Sequence, residues 1–324
     1  MTMDRVVAML RAAGDPTRLR LLLILRQAEL TVTELTVIAG QSQPRVSRHL
    51  KLLSESGLIE RFKEGSWVFY RAADTGLGAD LGVAIAETAL ATPAAYESDL
   101  KRLAQVREAR AAEAAAYFKA NAAQWERIRA LHAPEKDVET AIVKHIAGVP
   151  IENFLDAGTG TGRMLEVLAH HVKHAVGVDV SPEMLSIARD RLARGSLRHA
   201  QVRLGDIYRL PFANGGALSG FDAVLFHQVL HYLDDPQAAV VEAARTMRSG
   251  GRLLVADFAP HDLEFLRTEY AHRRLGFSDR EVQGWFHAAG LNPRASEAIA
   301  SGAGKLTVKL WLAEAGAGRR AEAA

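Results

Sequence analysis

Residues 153–168, NFLDAGTGTGRMLEVL, contain the pattern that decides the fold of this 324-residue chain. The apolar run that ends at Asp156 predicts a buried strand, and the residues from Arg163 onward predict a helix. Glycine at every second position between them predicts a tight turn, because glycine adopts positive φ and lets the backbone approach a ligand. The GxGxG spacing differs from the GxGxxG of dinucleotide loops, and no Gly-Lys-Ser/Thr of a phosphate loop follows. The stretch therefore indicates a strand–loop–helix unit that holds a small ligand.

Strand-like and helix-like segments alternate from this unit to residue 314, which predicts a parallel sheet with crossover helices and a Rossmann-like α/β fold. HAVGVDV ends near Asp179, AQVRLGDI leads to Asp206, FDAVLFHQVLHYL runs past His227, and GGRLLVADF supplies a fifth strand. Open α/β sheets bind ligands at the carboxyl ends of their strands, and an acidic residue there suits ribose hydroxyls. Because residues 156–162 hold no Lys or Arg for a pyrophosphate, we infer an adenosine with an uncharged or zwitterionic tail.

The first part of the chain shows a different pattern, three short helices followed by a β-hairpin. Asp15 is expected to cap the first helix, and Ser42 is expected to cap the third. Gly40 and Gly57 are expected to end the second and third helices. Alternating apolar residues around a Glu-Gly pair predict the hairpin. This order predicts a winged helix-turn-helix, mostly α with a β-hairpin wing.

The third of these helices, residues 43–56, has an apolar and a polar face. Val46, Leu50 and Leu53 recur at helical spacing and are expected in the core. Gln and Arg on the opposite face suit base edges, whereas Ser and Lys suit phosphates. The predicted DNA-binding residues on this helix and the hairpin are Gln43, Arg45, Ser47, Arg48, His49, Lys51, Arg61 and Lys63. The alternative is a helical interaction module whose polar face is merely solvated.

GDPTRLRLLLIL and SQPRVSRHLKLLSESGLIERFKEGSWVFYR resemble the ArsR/SmtB family of dimeric winged-helix repressors over residues 10–73. The resemblance implies a homodimer that binds double-stranded DNA at an inverted-repeat operator. Members of that family commonly sense metals through Cys, His or carboxylate ligands. The corresponding segments TVTELTVIAG and TGLGADLGVAIAETAL contain neither Cys nor His. We therefore expect no metal and a different effector.

LDAGTGTG, GVDVSPEML, GDIYRLPF and RTMRSGGRLLVADF resemble class I S-adenosylmethionine-dependent methyltransferases over roughly residues 148–314. The resemblance implies S-adenosylhomocysteine or S-adenosylmethionine as ligand. It places the glycine loop at the methionine portion, Asp179 at the ribose, Asp206 at the adenine and His227 near the sulfur. The predicted cofactor-binding residues are Asp156, Gly158, Gly160, Gly162, Asp179, Val180, Met184, Asp206, Ile207 and His227. For Met184 and His227 a structural role in the core is the alternative.

These patterns divide the chain into four segments. They are a winged helix-turn-helix DNA-binding domain over 1–73, a helical linker with dimerisation and lid roles over 74–147, a methyltransferase-like domain over 148–314 and a flexible tail over 315–324. The linker is rich in strong helix formers, and we expect one long helix over 94–132. Tyr117 and Trp125 within it either cover the ligand or pack. The methyltransferase resemblance adds an antiparallel strand pair at about 295–300 and 306–313.

Composition narrows the possible functions. The chain has no cysteine, which excludes a disulfide framework, a thiolate metal site and a cysteine nucleophile. Neither a secretory signal nor a membrane-length apolar run is visible, so we expect a cytoplasmic protein without membrane contact.

The two halves together predict a dimeric ArsR-family transcriptional repressor whose DNA binding is controlled by S-adenosylhomocysteine or S-adenosylmethionine. Its layout is similar to S-adenosylhomocysteine-responsive ArsR-type regulators of methionine-cycle genes. The alternative is an active S-adenosylmethionine-dependent methyltransferase of a small molecule with an autoregulatory DNA-binding domain. Methyl transfer needs mainly alignment and a dry cavity, so a missing general base does not exclude it. Arsenic methylation relies on several cysteines in its own family, and this chain has none.

Overall fold

The computed structural model shows two compact units, Met1–Glu113 and Ala114–Ala324. The described residues are 3–64, 67–73, 76–89, 96–121, 135–146, 148, 150–214, 220–299 and 306–316. Within these ranges, no helix combines the length and apolar character needed to span a bilayer.

The unit Met1–Glu113 begins with a helix-turn-helix and a wing, as the sequence predicts. Its first helices are α1 (Met3–Ala13), α2 (Pro16–Leu25), α3 (Val32–Ala39) and α4 (Gln43–Ser56). Its strands are β1 (Leu30–Thr31), β2 (Ile59–Glu64) and β3 (Trp67–Ala72), in the antiparallel order β1-β3-β2. The predicted hairpin is β2–β3. Strand β1 was not predicted, because two residues are too few to show a period.

Local capping chemistry sets the bounds of these helices. The carboxylate of Asp15 accepts hydrogen bonds from the backbone N–H groups of Thr17 and Arg18, which confirms it as the cap of α2. Gly40 and Gly57 have φ of 64° and 80° and end α3 and α4, as predicted. Ser42 is the N-cap residue of α4, as predicted, although its side chain makes no capping hydrogen bond.

The predicted helical linker contains three helices within its described residues. They are α5 (Gly76–Ala89), α6 (Glu97–Asn121) and α7 (Glu135–Ile146). The expected long helix over 94–132 corresponds to α6, while 122–134, including Trp125, and the side chain of Tyr117 lie outside the described residues. The strand Val308–Ala315 extends into the predicted tail, of which residues 317–324 also lie outside the described residues.

A buried carboxylate holds the first turn of α6 within the unit Met1–Glu113. Asp99 is 1% exposed, and its two oxygens each accept from Arg20 at 2.6 Å. Arg102 donates to Asp99 at 3.0 Å and to the carbonyl of Ile38 at 2.6 Å. Because Ile38 lies near the end of α3, these bonds attach α6 to the helix that precedes α4.

A seven-stranded mixed sheet forms the centre of the unit Ala114–Ala324, with the order β6-β5-β4-β7-β8-β10-β9. The strands are β4 (Ile151–Ala157), β5 (Val172–Asp179), β6 (Ala200–Leu204), β7 (Phe221–His227), β8 (Met247–Phe258), β9 (Leu291–Ile299) and β10 (Val308–Ala315). The first five pair in parallel, and β10 pairs antiparallel with both β8 and β9. This architecture confirms the predicted Rossmann-like fold.

Helices cover the sheet, whose strand residues alternate between two apolar cores. Phe154 belongs to one core and Leu155 to the other, as expected for successive residues of a strand buried on both faces. The helices of this unit, besides α7, are α8 (Arg163–Val167), α9 (Pro182–Arg194), α10 (Pro236–Thr246), α11 (Phe265–Tyr270) and α12 (Asp279–Ala288). The last turns of α6 also belong to it.

The antiparallel strand pair was predicted correctly in kind but not in its bounds. Strand β9 begins at Leu291, earlier than the predicted start at residue 295, and β10 ends at Ala315. The strand includes Pro293, and the register shifts between Leu312 and Ala313, opposite Pro293. Such a bulge on an edge strand accommodates a residue that lacks a backbone N–H.

Candidate functional site

The glycine loop between β4 and α8 is held in a left-handed backbone conformation. Gly158, Gly160 and Gly162 have φ of 79°, 52° and 76°. A Cβ on Gly158 would lie 2.5 Å from Cγ2 of Val229, and one on Gly162 would lie 3.0 Å from Cβ of Ala188. Two of the three glycines are therefore required by packing within the protein. The ligand-approach explanation rests chiefly on Gly160.

Asp156, at the end of β4, holds this loop through a side-chain hydrogen bond. The residue is buried, and its Oδ2 accepts a hydrogen bond from Oγ1 of Thr159 at 2.6 Å. Thr159 in turn packs against Gly177 of β5, where a Cβ would lie 2.6 Å from the threonine Oγ1. Thr159 and Gly177 are site residues that the sequence analysis missed. Their signal was the glycine within the run HAVGVDV.

Asp179 closes the loop from the neighbouring strand. Its Oδ2 accepts from the backbone N–H of Gly160 at 2.8 Å, and its Oδ1 accepts from that of Ser181 at 2.9 Å. Burial raises the pKa of Asp179, although these backbone hydrogen bonds oppose the rise. Because each carboxylate oxygen can accept more than one bond, Asp179 keeps acceptor capacity for hydroxyl donors.

The remaining predicted ligand residues differ in exposure. Val180 is 55% exposed, and Asp206 is exposed and accepts from the backbone N–H of Tyr208. Ile207 and His227 are buried with 8% exposure each. Met184 is 2% exposed, in agreement with the core alternative. The structure thus brings Asp179, Val180 and Asp206 to the carboxyl ends of β5 and β6, whereas Met184 is buried in α9.

Two features at the carboxyl ends of β7 and β8 escaped the sequence analysis. Gln228 directly follows β7 and has φ of 50°, a strained value for a non-glycine residue. His231, in the short turn Leu230–Tyr232 after β7, bonds through Nδ1 to Oδ1 of Asp257 at 2.7 Å. Nothing in the sequence indicates the strain at Gln228. The His–Asp pair could be found only once β7 and β8 were known to be neighbours.

The polar face of α4 is open to solvent in the unit Met1–Glu113. Val46, Leu50 and Leu53 are fully buried, as predicted. The exposed predicted contacts are Gln43, Arg45, Ser47, Arg48 and Lys51 on α4 and Arg61 and Lys63 on β2.

His49 is separated from this exposed set. Its Nδ1 lies 3.8 Å from the Asp15 carboxylate, and burial of the ring lowers the pKa of His49. His49 therefore faces the start of α2 rather than the exposed side of α4. In the adjoining strand β3, Arg71 bonds to Glu60 and Glu29 and lies over the ring of Phe62. The Arg71 side chain is therefore engaged in contacts with other residues of the same chain.

Comparison with known proteins gives each half a relative. A family profile described as "Bacterial regulatory protein, arsR family" matches residues 15–61, and one described as "Methyltransferase domain" matches residues 155–255. The chain joins an ArsR-type helix-turn-helix to a methyltransferase domain. Within the described residues, no group of three or more His, Asp or Glu side chains is placed to hold a metal ion.

One curated relative matches the helix-turn-helix, and another matches the methyltransferase domain. The helix-turn-helix is 46% identical over 66 residues to the arsenical resistance operon repressor of Escherichia coli, which covers 20% of this chain and 56% of the repressor. The methyltransferase domain is 35% identical over 119 residues to a demethylmenaquinone methyltransferase of Tropheryma whipplei, which covers 37% of this chain and 46% of that enzyme. The chain thus spans about half the length of each relative.

A solved structure confirms the fold of the methyltransferase domain. One chain of the complex between a Haloferax volcanii methyltransferase activator and a methyltransferase superposes with a TM-score of 0.50 and 24% identity. The match covers 61% of this chain and 97% of the other. At this identity the similarity establishes a shared fold.

Proposed function

We propose that the chain is a transcriptional repressor that binds an inverted-repeat operator as a homodimer and responds to S-adenosylhomocysteine or S-adenosylmethionine. One observation carries the proposal. The chain combines an exposed row of base-reading and phosphate-binding side chains on α4 with a carboxylate, Asp179, beside the glycine loop. Methionine-cycle genes are the expected targets, and the cytoplasm is the expected location.

The residues around Asp179 fit an adenosyl ligand. A carboxylate with spare acceptor capacity suits the two ribose hydroxyls. The exposed apolar side chain of Val180 follows it directly and offers a surface for a purine. Arg163, which follows the loop, bonds to Glu139 and Glu166 at 2.7 and 2.8 Å and is therefore engaged. This arrangement favours an adenosine with an amino-acid tail over a dinucleotide.

Helix α6 offers a route by which ligand binding affects the DNA-binding residues. Its first turn is attached to α2 and α3 through Asp99 and Arg102. Near its end, Phe118 packs edge-on against Tyr232 at 4.8 Å between ring centroids, and Lys119 lies 3.7 Å from Glu183. Glu183 is in the first turn of α9, three residues beyond Val180. A ligand that repositions these last turns acts on the helix that also holds α3.

Titration of operator DNA tests the proposal. The DNA is selected from a random-sequence library with the full-length protein, and its affinity is measured at fixed salt with and without each adenosyl compound. We expect one of the two to change the affinity by about 5–150-fold, which corresponds to about 1–3 kcal/mol of coupling. Asp179→Ala should lose adenosyl binding in calorimetry and lose this response, while its DNA affinity without ligand stays unchanged.

Substitutions on α4 test the DNA-binding surface separately. Arg48→Ala should weaken specific binding by about 1–3 kcal/mol if Arg48 contacts a base. Lys101→Ala removes a positive charge from an exposed position of α6 and is the matched control, with little expected change. An adenosyl ligand that binds but leaves DNA affinity unaltered would contradict ligand control. Equal effects of the Arg48 and Lys101 variants would contradict the assignment of α4.

A second candidate function is methyl transfer to a small molecule. The observation that favours it is the buried pair of His231 and Asp257 in the methyltransferase domain. It supplies the proton acceptor that the sequence did not reveal. The two functions are compatible, because a domain that turns over its ligand also distinguishes S-adenosylmethionine from S-adenosylhomocysteine.

A further inference from the structure

The side chains of His231 and Asp257 form a buried pair with a defined geometry. They are 1% and 0% exposed, and Nδ1 of His231 lies 2.7 Å from Oδ1 of Asp257. Asp257 Oδ2 also accepts from the backbone N–H groups of Leu230 at 3.0 Å and His231 at 3.4 Å. An aspartate in this position orients the imidazole and favours the tautomer with hydrogen on Nδ1.

The pair lies at the same edge of the sheet as the glycine loop, because β4, β7 and β8 are parallel neighbours. His231 is on the short turn Leu230–Tyr232 that follows β7, and Asp257 is the penultimate residue of β8. Strands β7 and β8 are parallel neighbours, so both residues lie at the carboxyl edge where open α/β sheets bind ligands. Val229, two residues before His231, is the side chain against which Gly158 packs.

The second ring nitrogen of His231, Nε2, is the observation that suggests a function for this residue. Nε2 is buried and makes no hydrogen bond to any of the described residues. With hydrogen on Nδ1, Nε2 is an acceptor, and a buried unsatisfied polar group costs about 1–3 kcal/mol. Support of the turn explains the bonds from Asp257 to the backbone, but it does not explain an imidazole whose second nitrogen has no hydrogen-bond partner in the described part of the chain.

Aromatic rings surround the imidazole of His231. The rings of Tyr232, His272 and Phe258 lie 4.1, 4.2 and 5.0 Å from it between centroids. Phe118 of α6 packs on Tyr232. These surroundings favour a neutral, flat ligand that donates one hydrogen bond. A phenolic hydroxyl has that chemistry.

We propose that His231 is the general base for methylation of a phenolic hydroxyl, with Asp257 as its positioning residue. The inference rests on the adenosyl site of the proposed function, since S-adenosylmethionine, when bound, supplies a methyl group on a sulfonium. The acceptor O–H bond breaks and its proton passes to Nε2. The oxygen forms a bond to the methyl carbon, while the carbon–sulfur bond breaks and its electron pair stays on sulfur. The proton later leaves His231 to solvent.

Nitrogen NMR tests the protonation pattern without turnover. Full-length protein labelled with ¹⁵N-histidine is compared with His231→Gln, whose missing signals identify His231. We expect a neutral ring with hydrogen on Nδ1 and an unprotonated Nε2, and Asp257→Asn should disturb that tautomer. His199→Gln is the matched control, because that ring bonds a backbone carbonyl at Ala169. A His231 with hydrogen on Nε2, or a permanently charged one, would overturn the proposal.

Turnover of phenols of graded acidity tests the role in catalysis. S-adenosylhomocysteine formation is measured with S-adenosylmethionine and either phenol itself or 4-nitrophenol, at a mildly alkaline pH where 4-nitrophenol is mostly ionised and phenol is not. His231→Gln should lower the rate with phenol by about 10²–10⁴-fold, and the rate with 4-nitrophenol much less, because an ionised acceptor needs no base. His199→Gln should match the wild type for both.

Calorimetry separates this inference from the adenosyl site on which it rests. Both His231→Gln and the wild type should bind S-adenosylmethionine with affinities within a few-fold of each other. No binding to the wild type would refute the adenosyl site itself. Binding without turnover of either phenol, or equal losses with both phenols in the variant, would overturn only the role of His231.

Discussion

The substitution Gly158→Ala tests whether packing against Val229 requires glycine at this position of the loop. The residue has φ of 79°, and an added Cβ would lie 2.5 Å from Cγ2 of Val229. A left-handed conformation costs a non-glycine residue about 1–2 kcal/mol. Overpacking adds about 1–3 kcal/mol, because Val229 must move. We therefore expect Gly158→Ala to lower the free energy of unfolding by about 2–5 kcal/mol.

Gly290→Ala is the matched control for this substitution. Gly290 has φ of 70°, but nothing lies within 4 Å of the position that its Cβ would take. This variant should show only the conformational cost of about 1–2 kcal/mol. Both glycines lie in the unit Ala114–Ala324, so the same urea unfolding transition reports on both.

A double-mutant cycle with Val229→Ala isolates the packing contribution. Shortening Val229 removes the atoms that an alanine at 158 would meet, so Gly158→Ala should be less costly in the Val229→Ala background. The coupling energy should be about 1–3 kcal/mol. If Gly158→Ala costs no more than Gly290→Ala and the cycle shows no coupling, the packing argument is wrong and backbone conformation alone explains the glycine.

Two further predictions concern stability. Asp99→Asn should destabilise the unit Met1–Glu113 by about 2 kcal/mol, since the carboxylate is buried but Arg20 and Arg102 are partly exposed. Lys51→Ala, which breaks an exposed pair with Glu55 at 3.7 Å, is the control, and equal urea midpoints for the two variants would contradict the role of Asp99. Burial lowers the pKa of His261 to about 4, so the unfolded chain gains a proton below about pH 6.5 that the fold does not. Stability should therefore fall between pH 6.5 and 4, and His261→Gln should flatten that slope in urea titrations; an unchanged slope would exclude His261 as its source.

Local patterns were sufficient to predict most elements of the fold. Helix ends at Gly40 and Gly57 follow from the left-handed conformation that glycine permits, and buried strands follow from apolar runs between turn residues. The bounds of β9 were missed because Pro293 usually argues against a strand. Only the pairing register shows that it lies opposite a bulge.

The site was only partly predictable, because much of it depends on which strands are neighbours. Asp179 could be placed from its position at the end of a strand. The contact of Gly158 with Val229 joins segments that are far apart in sequence, as does the bond from His231 to Asp257. The orientation of His49 toward Asp15 likewise depends on how α2 and α4 pack, which helical periodicity does not specify.

Both ends of the seven-stranded sheet resist growth by addition of another strand. Strand β6 at one end has only five residues and carries Arg203. Strand β9 at the other end carries Pro293, Arg294 and Glu297 and faces a register shift. Charged side chains, proline and bulges at sheet margins discourage edge-to-edge polymerisation. The sheet is therefore expected to remain at seven strands in each copy of the chain, and its margins to be poor templates for fibre formation.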